Sequence, residues 1–252
     1  MNSAMRVAAL YDIHGNLPAL EAVLHDVQQA GVDHIVVGGD VVPGPMPRET
    51  VDALLNLEAP AQFIVGNGEN EVLAMLAGID TGRVPEQFSE TIRWVGQALT
   101  AEHAQLLGDW PQTVQLAIPG LGDVLFCHAT PRDDNEVFTR LTPEERLLPV
   151  FEPVDAAMVV CGHTHMQFDR QIGRHRVVNA GSIGSPWGEP GAYWLLLGPD
   201  VELRHTPYDL AAAAARIRAT DYPLDDEFGA GWVLQPPSQT EMLELYERAA
   251  LR

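Results

Sequence analysis

The sequence predicts an α/β fold in which sheets centred on parallel strands stack on one another and are covered by helices. Three observations point there. Short β-branched runs alternate with amphipathic helical stretches through the first third of the chain, and a second series of short strands follows a helical interruption. Both series run out into loops where glycine stands beside Asp, Asn or His.

Arg6 to Tyr11 (RVAALY) is a continuous apolar run of the kind found in a buried strand. Leu17 to Ala30 repeats apolar residues at helical spacing and stops at Gly31. His34 to Val37 (HIVV) reads as the second strand, Arg48 to about Leu57 as the second helix, and Gln62 to Val65 (QFIV) as the third strand. Strands joined by helices in this way pair in parallel, because a parallel pair needs a long crossover. From Gly78 to Pro111, Ile92, Val95, Leu99, Leu106 and Leu107 recur at helical spacing, which predicts a helical insertion. Strands are expected again at about Thr113–Ile118, Asp123–Cys127, Ala157–Cys161, Arg176–Val178 and Tyr193–Leu197. An alanine-rich helix after Asp209, a Pro/Gly/acidic stretch around Tyr222 to Pro237 and a last helix from about Gln239 form the tail. The expected organisation is a single domain over residues 1–252, with the helical insertion at about 78–111 and a C-terminal helical appendage at about 207–252.

No apolar run approaches the roughly 18 residues of a membrane helix, so no membrane partner is expected. MNSAMRVAALYDIHG passes from its first basic residue straight into a strand, without the apolar stretch and cleavage site of a leader, and a cytoplasmic location is expected. Two cysteines, Cys127 and Cys161, are too few for a disulfide framework and read as small buried strand residues, with a thiolate ligand the lesser alternative. A formal net charge of -20 without a dense Lys/Arg run repels bulk nucleic acid. The expected partner is a small phosphorylated substrate; homo-oligomerisation is left open.

Five segments carry the chemistry: Asp12-Ile13-His14-Gly15-Asn16, Gly39-Asp40, Gly66-Asn67, Cys127-His128 and Gly162-His163-Thr164-His165. Each follows a predicted strand, and ligands of parallel α/β sheets collect beyond the carboxyl ends of the strands, so these side chains are expected to converge. Asp12 and His14 are two residues apart, as are His163 and His165, which places each pair on one side of an extended segment. Carboxylate oxygen together with imidazole nitrogen suits Mn, Fe, Co, Ni or Zn better than Ca or Mg. Singly, Gly-Asp reads as a turn and Asn67 as a left-handed turn residue; five such segments in this order are not explained by turns.

These motifs resemble the calcineurin-like metallophosphoesterase family, whose pattern runs D-x-H, GD, GN-H-[DE], H, GH-x-H. The likeness spans about Arg6 to Gly184, including the NAGSIGSP segment. It implies a four-layer αββα sandwich of two mixed sheets and a two-metal phosphatase or phosphodiesterase. By resemblance, Asp12, His14, Asp40 and His165 hold one ion, and Asp40, Asn67, His128 and His163 the other. The implied cofactors are two divalent transition-metal ions, manganese first, with Fe, Ni, Co and Zn as alternatives. Two such ions roughly 3.5–4 Å apart clamp a phosphoryl oxygen and make hydroxide available near neutral pH for in-line attack. The resemblance makes Asp40, Asn67 and His128 catalytic. Asn67 is also a candidate for touching the phosphate. Asn16 reads either as a phosphate contact or as a turn residue, and Arg132 either as a phosphate contact or as a solubilising surface arginine.

One position departs from the pattern. Where the family carries the histidine that protonates the leaving group, this chain reads Gly66-Asn67-Gly68-Glu69. General-acid help is typically worth roughly 10²–10⁴-fold. The departure leaves open an alternative in another class, a metal-binding regulatory or scaffold protein with little turnover. Glu69 is expected to favour the start of the next helix. Trp94, Trp110, Trp187, Trp194 and Trp232 read as core, with the wall of a nucleobase pocket as the lesser alternative and Trp187, directly after Gly184-Ser185-Pro186, the foremost candidate for it; the insertion is placed to cap the site and choose the substrate.

Overall fold

Alternation of side chains along short strands decides the layering. The computed structural model describes residues 5–251; Met1–Ala4, part of the stretch in which no leader was expected, lie outside them. Strands β1 (Val7–Leu10), β2 (His34–Val37) and β3 (Ala61–Phe63) are parallel neighbours, joined by helices α1 (Leu17–Ala30) and α2 (Pro47–Leu55). Helix α3 (Asn67–Leu76) follows, then a 3-10 turn at Glu86–Phe88 and helices α4 (Ser89–Ala98) and α5 (Ala101–Gly108). The second half contains β4 (Thr113–Ile118), β5 (Gly122–Cys127), helix α6 (Glu144–Phe151), β6 (Met158–Cys161), β7 (Phe168–Ile172), β8 (His175–Asn179), β9 (Ala192–Leu197) and β10 (Val201–Thr206). Helix α7 (Leu210–Arg218), a π-helical segment (Glu227–Leu234) and helix α8 (Gln239–Ala249) end the described chain.

Two mixed five-stranded sheets result, in the orders β10-β9-β1-β2-β3 and β4-β5-β6-β8-β7. Each has three adjacent parallel strands, β1-β2-β3 in one and β5-β6-β8 in the other, flanked by antiparallel pairs. Val7, Ala9, Tyr11 and Val36 meet Phe126, Met158, Val160 and Val178 between the sheets. Their neighbours Ala8, Leu10, Ile35 and Val37 face the opposite way, onto α1 and α2, while Val159, Cys161 and Val177 pack under α6. The apolar runs are continuous because both faces of these strands are covered. The architecture is an α/β sandwich of two sheets between helical layers.

Local chemistry fixes the elements that lead into the site. The Asn16 side chain caps α1 by accepting from the Ala19 amide at 3.2 Å, and Gly31 closes the helix in the left-handed conformation at φ 63°. The Asp209 side chain caps α7, and Ser238 with Glu241 forms a reciprocal cap on α8.

Some boundaries differ from expectation. The third strand ends at Phe63, because Val65 already leads into the Gly66 cap of α3, and helix begins at Asn67 rather than near Gly78. Strands β7 (FDRQI) and β10 (VELRHT) lie at sheet edges, where polar residues break the apolar pattern that marks the inner strands. Helix α6 contains Pro149, whose missing N–H argues against helix in the sequence alone. Both cysteines are buried, with Cys161 under α6 in the layer facing away from the inter-sheet core, and burial raises both thiol pKa values; neither joins the histidine clusters. Among the described residues no helix is long and apolar enough to cross a membrane.

The buried Tyr11 hydroxyl donates across the sandwich to the Val160 carbonyl at 3.1 Å. Tyr11→Phe is expected to lower unfolding free energy by about 1 kcal/mol in urea denaturation, because only that hydrogen bond is lost.

Candidate metal centre

The carboxyl ends of the parallel strands in both sheets open toward one cavity. Asp12 and His14 follow β1, Asp40 follows β2, Asn67 opens α3 after β3, His128 follows β5, and His163 and His165 follow β6. All seven sequence-predicted ligands are brought together. Donor atoms of Asp12, His14 and His165 lie within 4.8 Å of one another, and so do those of Asp40, His128 and His163. Asp40 faces both groups: Oδ2 is 3.8 Å from His14 Nε2 and Oδ1 is 3.5 Å from His128 Nε2. The Asn67 Oδ1 is 3.0 Å from His128 Nε2.

The backbone at these positions is unusual. Among the described residues, positive φ at a non-glycine occurs at Asp12 (51°), His14 (49°), Asp40 (51°), His163 (66°) and His165 (56°), all of them predicted ligands. Each left-handed residue costs roughly 1–2 kcal/mol, a strain that concentrates at functional sites.

Backbone carbonyls set the histidine tautomers. His14 Nδ1 donates to Pro43 O at 3.0 Å, His128 Nδ1 to Gly38 O at 2.9 Å, and His165 Nδ1 to Ser185 O at 2.6 Å. A carbonyl can only accept, so a proton sits on Nδ1 of each ring and the Nε2 of a neutral ring presents a bare lone pair to the cluster. Nε2 of His14 and Nε2 of His165 are 3.0 Å apart. Asp12 Oδ2 accepts from the His163 amide at 2.8 Å, but its fully buried Oδ1 has no hydrogen-bond partner and lies 3.4 Å from His165 Nε2. These three acceptor atoms thus converge without a donor to satisfy them, and buried polar groups seldom stay unsatisfied. Divalent cations fit this arrangement, and its mixed N/O character suits transition metals.

Electrostatics agree with that fit. Burial pushes Asp12 up, but the surrounding histidines, His165 foremost, hold its pKa down to about 2. Burial, reinforced by His128, lowers His163 to about 4, and burial with His165 lowers His14, so both rings are neutral at pH 7. His128 is the exception: burial opposes its charge, yet Asp40 and Asp12 raise its pKa.

Glu69 has a larger role than starting a helix. Its buried carboxylate accepts from the amides of Val41 (2.7 Å), Val42 (3.0 Å), Asp40 (2.8 Å) and Gly66 (2.9 Å), pinning the Asp40 loop to the Asn67 loop. Burial and the Asp40 charge push its pKa up to about 7 against these donors. Gly68 donates its amide to Asp40 Oδ1 at 2.7 Å, and a Cβ there would stand 2.2 Å from Pro43 Cγ and 2.9 Å from Asp40 Oδ1. The position that departs from the family pattern therefore has no room for a side chain.

Two predicted substrate contacts have partners within the chain. The buried Asn16 amide donates to Gly184 O and Tyr208 Oη while its oxygen caps α1, so it holds loops together. Arg132 is exposed and pairs with Glu136, Nε to Oε1 at 2.9 Å. Residues not singled out in the sequence line the cavity instead: Arg83, Phe88, Tyr222 and Tyr246, together with Trp232, which was read as core. Trp187 stacks on His165 with ring centroids 5.1 Å apart, and its Nε1 donates to Tyr246 Oη at 3.3 Å. The Glu69 spacing from Gly66 is a legible capping signal; the tail residues carry no motif that points to the site.

Residues 5–198 match the calcineurin-like phosphoesterase superfamily domain. The chain is 27% identical over 232 residues to the uncharacterized protein MJ0912 of Methanocaldococcus jannaschii, covering 84% of this chain and 91% of that one. It is 26% identical over 207 residues to the phosphodiesterase YfcE of Escherichia coli, covering 76% and 87%. A metallophosphoesterase structure from Sphaerobacter thermophilus superposes with a TM-score of 0.71 at 26% identity, covering 90% of this chain and 99% of that one. The protein PH1004 of Pyrococcus horikoshii shares the fold with a TM-score of 0.77 at 22% identity, covering 90% and 96%.

Two substitutions test the loop geometry. Gly68→Ala is expected to displace Asp40 and lower stability by about 1–3 kcal/mol. Glu69→Gln sets an amide NH₂ against two backbone donors and is expected to cost about 2 kcal/mol or more. Both are read from denaturant midpoints.

Proposed function

This chain belongs to the calcineurin-like phosphoesterase superfamily, and we propose that it hydrolyses a small phosphate monoester or diester at a pair of divalent transition-metal ions. The observation that carries the reading is the meeting of the His14 and His165 Nε2 lone pairs with the unpartnered Asp12 Oδ1. Asp12, His14, His165 and Asp40 would hold one ion, and Asp40, Asn67, His128 and His163 the other. Bound there, the ions would supply Lewis-acid polarisation of the phosphoryl group and lower the pKa of a water molecule toward neutrality.

The chain's own residues do the positioning. Asp40 stands between the two groups, with one oxygen oriented by the Gly68 amide and its loop fixed by Glu69. Asn67 directs its oxygen toward His128, which leaves its NH₂ as a donor for a phosphoryl oxygen. The Tyr246 hydroxyl lies on the cavity wall; burial pushes its pKa up to about 12, so it stays neutral, and since it accepts from Trp187 its own proton is available to an anionic ligand. No side chain at position 68 assists the leaving group, which favours esters whose leaving group departs without a general acid.

Manganese-loaded protein is expected to hydrolyse bis(p-nitrophenyl) phosphate or p-nitrophenyl phosphate, and chelation to abolish turnover. Asp40→Asn is expected to reduce kcat at least about 100-fold and to lower metal content measured by elemental analysis. Two tightly held ions without turnover on either ester would instead favour a metal-binding regulatory protein, the reading that Gly68 leaves open.

A further inference from the structure

The cavity beside the two candidate ligand groups extends well beyond them, to about 340 Å³. Much of its remaining wall is apolar, with Glu71, Thr91 and Asn135 also lining it. Phe88, Ile92 and Val95 come from the insertion, and Tyr222, Trp232 and the ring of Tyr246 come from the tail. Among the described lining residues Arg83 is the sole arginine or lysine, and it is half-exposed and paired with Asp134. A substituent bearing further charge would sit against carbon without a counter-ion, which is costly.

The wall is also held in place. An aromatic chain runs Trp94–Tyr222–Phe228–Trp232–Trp187–His165, with successive centroids 5.4, 6.1, 5.1, 6.5 and 5.1 Å apart. It ties the insertion to the tail and the tail to a predicted metal ligand, so the rings are pre-organised for a ligand. Tyr222 and Trp232 lie outside residues 5–198, the part of the chain that matches the superfamily.

We propose that the chamber selects esters whose phosphoryl group carries one flat, apolar aryl or heterocyclic substituent, received by Phe88, Tyr222 and Trp232. The proposal rests on the phosphoesterase reading above, which supplies the anchor for the phosphoryl end.

Phenylphosphonate and methylphosphonate present the same anionic head, differ in the flat group, and have a P–C bond that hydrolysis leaves intact. Calorimetric titration of the manganese-loaded full-length chain is expected to show phenylphosphonate binding at least about tenfold tighter, the effect of burying one ring. Trp232→Ala and Phe88→Ala are each expected to bring that ratio to within about threefold of unity. Phe88 stands on the insertion, so its truncation leaves the tail packing intact and decides the matter if the Trp232 variant does not fold. Equal binding of the two phosphonates by the unsubstituted protein, or a ratio that survives in Phe88→Ala, overturns the proposal while leaving the phosphoesterase reading standing. Binding of neither overturns both.

Discussion

The structure depends on a crowd of acceptor atoms with few donors among them. Nε2 of His14, His128 and His165, the carboxylates of Asp12 and Asp40 and the amide oxygen of Asn67 point into one small volume. Positive charge placed there would relieve the facing His14 and His165 lone pairs and the unpartnered Asp12 Oδ1, which are otherwise costly. Five left-handed non-glycine residues at the cluster add roughly 1–2 kcal/mol of strain each. The surrounding framework therefore has to over-determine the loops that carry them.

It does so with backbone groups more than with side-chain bulk. Carbonyls of Gly38, Pro43 and Ser185 orient three imidazoles, the Glu69 carboxylate gathers four amides from two loops, and Asp12 receives the His163 amide from the opposite sheet. The Ser182 hydroxyl donates to the Asp12 carbonyl at 2.7 Å, tying a further strand end to the same point. Each loop is thus held by another, and the two sheets are coupled through the site as well as through their apolar interface. Close packing explains Gly162 as well: a Cβ there would fall 2.3 Å from Asp12 Oδ2. Crowding around the carboxylates of Asp40 and Asp12 likewise requires glycine at positions 66, 68 and 162.

A division of labour follows. Strand ends of the two sheets carry the candidate ligands, within the residues that match the superfamily. The insertion and the tail line the space above, where Trp232 and Tyr222 face the cavity and Trp187 stacks on His165. The candidate ligands and the apolar wall thus stand on different elements of the fold.

The sequence by itself determined the inner strands, the parallel order of the first three, helix α1 over Leu17–Ala30, and the convergence of seven side chains. Those features are written locally: apolar runs of strand length, a cap and a left-handed glycine at the helix ends, and polar residues immediately after each strand. Edge strands β7 and β10 were hidden by polar alternation, and α6 by Pro149. Only the tertiary structure decided that Asn16 is engaged elsewhere, that Glu69 staples two loops, that position 68 is filled by Pro43 and Asp40, and that Trp232 faces the cavity. Each of those depends on a partner from a distant part of the chain or on available space, and neither distance nor space between remote segments is encoded in the spacing of neighbouring residues.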